Sequence, residues 1–350
     1  MNIVQAKTAL KAAYKANLPT MLSGSPGLGK SEIIRQLRED LEAESGRPFG
    51  CIIFKPQTAD ISEMGDLRWI VEEDGVPVMK NVKQGWIPTL ETVAKGIHPD
   101  QGIIFLDEIL DCAPAIQSVL QGLVLDRHLG TADLHPGWFP VAASNRRKDN
   151  AAAGRMSTAL ARRLLHITVD TDVDVTVAYA YKHDWHPMIP AFLRWKSDLL
   201  DTSEQAKKQT EEYAFANPAS WEKTSTLLKS GCPDDLMLEM ISGLIGKGPA
   251  GEFYAFLQVY KSLPDLNVIR NTPETVPIPE EPSVMFATLG ALVNKITKRD
   301  FIRVWPFVRR LQPEYATYFT KSSVNIIGPD IVNSNPAWDE YLVLFASYTY

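Results

Sequence analysis

The apolar pattern along the chain changes character near residue 170. Before it, short continuous apolar runs alternate with stretches of helical period; after it, apolar residues recur almost throughout at helical spacing. Ile3, Ala6, Leu10, Ala13 and Tyr14 share one face of a predicted helix over residues 3–16. Thr20–Ser23 reads as a short strand, and Glu32–Ala43 as a helix ended by Gly46 and Pro48. Cys51–Lys55, Ile103–Leu106 and Phe139–Ser144 read as further strands. Ile103–Leu106 shows no polar alternation, as expected of a parallel strand covered on both faces. A helix over Pro114–Asp126 presents Ile116, Val119, Leu120 and Leu123.

Two excursions interrupt this alternation. Residues 57–88 hold a hairpin around Asp74-Gly75, a turn dipeptide. Residues 127–138 carry the turn residues Gly130, Asp133 and Pro136-Gly137. Beyond residue 170 the pattern predicts helices over Val175–Tyr181, Ile189–Leu200, Ser220–Lys229, Asp235–Leu244 and Glu252–Lys261. Asn271–Pro282 is proline-rich and reads as an extended linker. Helices over Ser283–Thr297, Asp300–Leu311 and Glu314–Thr320 follow, their aromatic and aliphatic residues spaced as a core. The expected organisation is an α/β domain over 1–170, a helical segment over 171–262, and a linker with a helical C-terminal region over 263–350.

The chemistry lies in the first domain. Gly24, Ser25, Pro26, Gly27, Leu28, Gly29, Lys30 and Ser31 fit G-x-x-x-x-G-K-[ST], between a strand and a helix. Glycines let such a loop curl so that its N–H groups face an anion, and the next helix points its N-terminus the same way. Lys30 would reach the β- and γ-phosphates, and Ser31 would hold Mg²⁺. Asp107 and Glu108 end the apolar strand, at the edge where open α/β sheets bind ligands. Asp107 suits a Mg²⁺ ligand, and Glu108 the base that polarises attacking water. Asn145 ends another strand; it can orient water or simply cap the strand end. Arg162 and Arg163 precede a strand through Val169; they can reach a neighbouring subunit's nucleotide or stand as solvated surface cations.

With these residues in order, the chain resembles the AAA+ ATPases, and within them the MoxR-like group, over roughly residues 1–260. The likeness rests on Gly24–Ser31 as Walker A, Ile103–Glu108 as Walker B, Asn145 at the sensor-1 position, and Arg163 just before Leu164. Ser144–Asn150, Gly154-Arg-Met, Gln57–Asp66 and Gly85-Trp-Ile-Pro88 add to it. The resemblance implies a P-loop AAA+ core, its parallel sheet sandwiched by helices, with an all-helical lid. It also implies ATP and Mg²⁺ as cofactors and a homo-oligomer, usually a hexameric ring. Such rings remodel a protein client, often with a von Willebrand factor A domain partner that helps insert metals or cofactors. The resemblance marks the excursion at 57–88 as the helix-2 insert of the ring pore, with a decorative surface hairpin as the equal alternative, and 127–138 as a second pore-side hairpin. Arg163 corresponds to the finger arginine. One departure stands out: where the family's lid carries a Pro-Arg pair, this chain has Pro218-Ala219. Lys223 shares a helix face with Ala219, but its point charge matches phosphate oxygens less well than a guanidinium.

Net charge −6 and a pI near 5.6 argue against nucleic acid as the main partner. Arg146-Arg147-Lys148 is a local basic run that reads as a solvated or inter-subunit loop. Cys51, Cys112 and Cys232 have neither zinc-type spacing nor a disulfide framework, which fits a reducing cytoplasmic setting. The first residues are too charged for a signal peptide, and no apolar stretch is long enough to span a membrane. His183 and His186 lie at helical spacing without an evident third ligand, so a polar surface contact is the better reading. Two alternatives remain at this level. One is a nucleic-acid motor or loader of the same fold. The other, motivated by Ala219, is a nucleotide-dependent switch that hydrolyses weakly. A phosphate loop does not read the base, so ATP and GTP are not distinguished.

Overall fold

The computed structural model describes residues 1–58, 67–74, 76–82, 85–145, 156, 158–206, 213–261, 263, 265–294, 296–328 and 339–340. It divides into two compact units, Met1–Asp170 and Thr171–Tyr350.

The first unit is built on five parallel strands. In chain order they are β1 (Thr20–Gly24), β2 (Gly50–Phe54), β5 (Gly102–Leu106), β8 (Trp138–Ser144) and β9 (Leu165–Val169). Their spatial order is β2-β5-β8-β1-β9. Side chains alternate across the sheet, and the two faces sort accordingly. Ile103, Phe105, Val141 and Ala143 face α1 (Ile3–Lys15) and α2 (Lys30–Ser45), which contribute Ala6, Leu10, Ile33, Ile34 and Leu37. Ile104, Leu106 and Ala142 face the other way, in a core with Ile116 and Leu120. Every residue of β5 and β8 is buried, which is why neither strand shows polar alternation. All five strands run the same way, so Gly24, Leu106 and Ser144 finish at one edge of the sheet.

Helix ends follow local chemistry. Asn2 and Gln5 form a capping box on α1, and Gly46 ends α2 in the left-handed conformation. Two antiparallel hairpins interrupt the α/β alternation. The first pairs β3 (Leu67–Glu73) with β4 (Val76–Val82); Ile70 lies opposite Met79, and both are exposed. Between β4 and β5 lies the short α3 (Leu90–Ala94). The helix α4 (Pro114–Gln121) continues as a wider turn over Gly122–Asp126 and leads to the second hairpin, β6 (His128–Leu129) with β7 (Ala132–Asp133). Arg127 anchors this hairpin. Its guanidinium donates to the carbonyls of His135, Pro136 and Trp138 and to Asn17 Oδ1, and burial pushes its pKa down. A short helix, α5 (Thr158–Ala161), precedes β9.

The second unit is helical: α6 (Val173–Lys182), α7 (Met188–Trp195), α8 (Ser203–Ala206), α9 (Pro218–Lys229), α10 (Met237–Ile245), α11 (Lys247–Lys261), α12 (Leu266–Asn271), α13 (Pro282–Val293), α14 (Lys298–Val308) and α15 (Pro313–Ile327). Phe192, Trp221, Phe253 and Phe256 cluster at 5.1–5.7 Å between ring centroids.

The helices of this unit share a buried core that runs from Ala180 to Phe319. The reason is α13. Met285 to Val293 are all buried, so this helix has no solvent face and must be enclosed by its neighbours. It packs on α7, α11 and α15. The proline-rich stretch ahead of it is pinned rather than free. Arg310 donates to the carbonyls of Pro273 and Val276 at 2.9 Å, and Arg303 Nε donates to Arg270 O at 2.7 Å.

The α7–α13 seam sets a stability prediction. A Cβ on Gly290 would meet Ala191 Cβ at 2.6 Å, well inside contact distance, so the helices would have to part. Overpacking costs about 1–3 kcal/mol. Helix propensity returns up to about 1 kcal/mol on replacing glycine by alanine. Gly290→Ala is therefore expected to lower the melting temperature of the second unit, measured by calorimetry. An unchanged or raised value would show that the seam is loose.

Candidate nucleotide-binding site

The loop from β1 to α2 turns through two glycines in the left-handed region, Gly27 at φ 77° and Gly29 at φ 78°. A side-chain-bearing residue is destabilised there by about 1–2 kcal/mol, which is the local reason for glycine at both positions. The turn lays Lys30 into the loop. Its side chain is 8% exposed, and Nζ donates to Gly24 O at 2.9 Å, Ser25 O at 3.2 Å and Asn145 Oδ1 at 3.0 Å. A buried ammonium without such acceptors would cost several kcal/mol, on the order of its desolvation penalty. Next along α2, Ser31 Oγ donates to Asp107 Oδ2 at 3.0 Å.

Asp107 follows β5 and is 8% exposed; its N–H donates to Phe54 O of β2 at 2.9 Å. The chain then bends sharply. Glu108 sits at φ 58° and ψ 39°, left-handed for a residue with a Cβ. Such a conformation persists only where neighbours impose it, and it is frequent at functional sites. The Glu108 carboxylate accepts from Gln57 Nε2, in the single helical turn Pro56–Thr58 after β2.

The structure thus joins Lys30 and Ser31, Asp107, and Asn145, which come from three separate segments, with Glu108 next to Asp107. Gln57 is a contact that the sequence reading placed only in a motif-like segment, without a role. Its one signal was position: it follows the strand that borders β5. Arg162 and Arg163 lie after α5, are exposed, and do not join this hydrogen-bonded set, whereas Leu164 beside them is buried. Arg146-Arg147-Lys148 and Gly154-Arg-Met lie largely outside the described residues, as do residues 59–66. In the second unit, Ala219 lies in the first turn of α9 and Lys223 is exposed on that helix.

The donor set fits Mg²⁺. Ser31 Oγ and Asp107 Oδ2 are hard oxygen donors already within 3.0 Å of each other. Magnesium typically takes one or two such protein ligands and completes its shell with water and phosphate. Among the described residues no group of three or more His, Cys, Asp or Glu side chains is placed to hold a metal. His183 and His186 are used in packing. His183 stacks on Tyr179 with centroids 3.9 Å apart, and burial together with Lys229 pushes the His186 pKa down. No helix among the described residues is long and apolar enough to cross a membrane.

Residues 19–164 match the family model of the AAA domain, dynein-related subfamily. The match spans β1 through the buried Leu164 and therefore contains the whole site. The chain carries an AAA-type ATPase domain with a P-loop sheet. No curated protein matches the chain. Among solved structures, it is similar to a RuvB mutant from Thermotoga maritima at 13% identity and TM-score 0.35, covering 82% of this chain and 80% of that one. A putative ATPase from Cytophaga hutchinsonii follows at 11% identity and TM-score 0.32, with coverages of 93% and 84%. NtrX from Brucella abortus, in complex with ADP, shows 13% identity and TM-score 0.33, with coverages of 98% and 65%. These whole-chain likenesses are low, and the domain match alone carries weight.

Two substitutions test the geometry. Lys30→Ala removes the only cation seated inside the described loop and is expected to abolish nucleotide binding, read by titration calorimetry. Gln57→Ala frees the Glu108 carboxylate while leaving the loop intact. Turnover should fall about tenfold, a fraction of the total effect of a positioned general base. Nucleotide affinity should stay near wild type. Equal losses in turnover and affinity would move Gln57 from the base to the binding site.

Proposed function

We propose that the chain is a Mg²⁺-dependent, oligomeric ATPase of the MoxR-like type that couples ATP turnover to remodelling of a protein client in the cytoplasm. The observation that carries this reading is the junction of Lys30 with Asn145 and of Ser31 with Asp107. A cation bonded to an amide, and beside it a hydroxyl bonded to a carboxylate, are the groups that phosphate and Mg²⁺ would need.

In this reading Lys30 Nζ exchanges its carbonyl acceptors for phosphate oxygens, a charge-assisted bond in place of neutral ones. Loop N–H groups and the start of α2 bind the remaining oxygens. Ser31 and Asp107 would hold Mg²⁺, which would supply positive charge against the phosphates. Asn145 orients the attacking water. Glu108 accepts a proton from that water, and Gln57 keeps its carboxylate in place. Arg163, exposed beside the buried Leu164, supplies positive charge to the nucleotide of a neighbouring copy. The hairpin of β3 and β4 presents Ile70 and Met79 as an apolar pair, which supports a client-touching role for the insert. A von Willebrand factor A domain protein is the expected co-partner. The alternative suggested by Ala219 is a switch that binds nucleotide but turns over slowly.

Glu108→Gln is expected to retain nucleotide and lose turnover. Loaded with ATP and Mg²⁺ and used as bait in its native lysate, it should capture a von Willebrand-type protein or a metalloenzyme in a nucleotide-dependent way, with Lys30→Ala as control. Nucleic acid retained at moderate salt would instead favour a motor or loader. Arg163→Ala should lower turnover with little loss of affinity, and mixing it with Lys30→Ala should restore part of the activity. No recovery at any mixing ratio would exclude a site shared between subunits.

A further inference from the structure

β2 is an edge strand: β5 pairs with one side of it and no described strand with the other. Its last residue nevertheless carries much of the site. The Phe54 carbonyl takes the Asp107 N–H, the last rung before the backbone of Glu108 turns left-handed. Three residues later, the turn at Pro56–Thr58 delivers Gln57 to the Glu108 carboxylate. The end of β2 thus sets the positions of both acids, yet as an edge it has half the usual ladder to hold it.

Trp86 supplies the missing support. Its ring stacks on Phe54 with centroids 4.7 Å apart and planes 1° from parallel. Both rings pack against the core that contains Leu106, Ile109 and Leu110. The backbone that bears Trp86 is itself fixed. Ile87 is fully buried, and Pro88 O accepts from His135 N at 2.7 Å. Gln57 and Trp86 stand on either side of the β3–β4 insert in sequence, and each reaches the acid pair, one directly and one through Phe54.

We propose that Trp86 is a positioning residue for hydrolysis, acting through Phe54 to hold Gln57 and the Asp107–Glu108 pair in register with the phosphate loop. The proposal rests on Glu108 as the base. Trp86 touches no reacting atom. It holds the strand end from which the base and its partner are placed, and displacement of a catalytic group by about 1 Å costs up to about a hundredfold in rate.

The test uses the full chain and three variants. Trp86→Leu keeps apolar bulk but removes the flat face, Trp86→Phe keeps a ring, and Gln57→Ala identifies the Gln57 side-chain amide resonance by its loss. Trp86→Leu is expected to shift that resonance and lower kcat between about tenfold and a hundredfold with KM nearly unchanged. Trp86→Phe should restore most of both. Combined with Gln57→Ala, Trp86→Leu should cost much less than it does alone, because the two act through one contact. A Gln57 resonance that stays put in folded Trp86→Leu would overturn the proposal, and so would strictly additive losses in the double variant. Wild-type protein without Lys30-dependent hydrolysis would strike the assignment of the base instead. The resonance would then decide by itself whether Trp86 positions Gln57.

Discussion

The nucleotide unit depends on a buried ammonium. Lys30 is held by two carbonyls of its own loop and by Asn145 at the end of a different strand. Removing that charge from water is costly, and the penalty is offset only if β1 and β8 lie side by side with their ends level. The pairing provides this, with Ser23 opposite Ser144. The same levelling places Asp107 at the end of β5, where Ser31 reaches it. The parallel sheet is therefore more than a frame for the loop. Its strand ends supply the groups that satisfy Lys30 and Ser31, and a shift of one residue in β8 would carry Asn145 to the other face.

Strain and support meet at the next residue. Glu108 occupies a backbone region that a side-chain-bearing residue enters at a cost of about 1–2 kcal/mol. The bend turns its carboxylate toward Gln57. The contacts around it are the Phe54–Asp107 rung, the Gln57 amide and the buried Ile109 that follows. In the helical unit the governing constraint is different. There the enclosed helix α13 leaves no polar face, so its neighbours close around it, and Gly290 sets how near α7 approaches. Arginine-to-carbonyl bonds then hold the proline-rich approach in place of regular structure.

The strands and the phosphate loop were legible because their signals are local. A run such as Ile103–Leu106 announces a strand buried on both faces, and glycines before a Lys-Ser pair announce a loop that must turn left-handed. Gln57 carried no such signal. A glutamine after a strand is unremarkable until β2 is known to border β5. The proline-rich stretch, which forms no helix or strand between Asn271 and Pro282, shows the same limit. Composition speaks of chain stiffness, and says nothing of Arg303 and Arg310 arriving from α14 and its end to hold it.

By itself, the sequence determined the α/β core, the helical character beyond residue 170, and the residue types that the loop and the acid pair bring to the strand ends. Those depend on periodicity and on residue types a few positions apart. Only the tertiary structure decided that Asn145 accepts from Lys30, that Gln57 donates to Glu108 while Trp86 stacks on Phe54, and that one core runs from Ala180 to Phe319. Each of these joins groups distant in the chain, and such contacts are set by strand order and helix packing, which no local window contains.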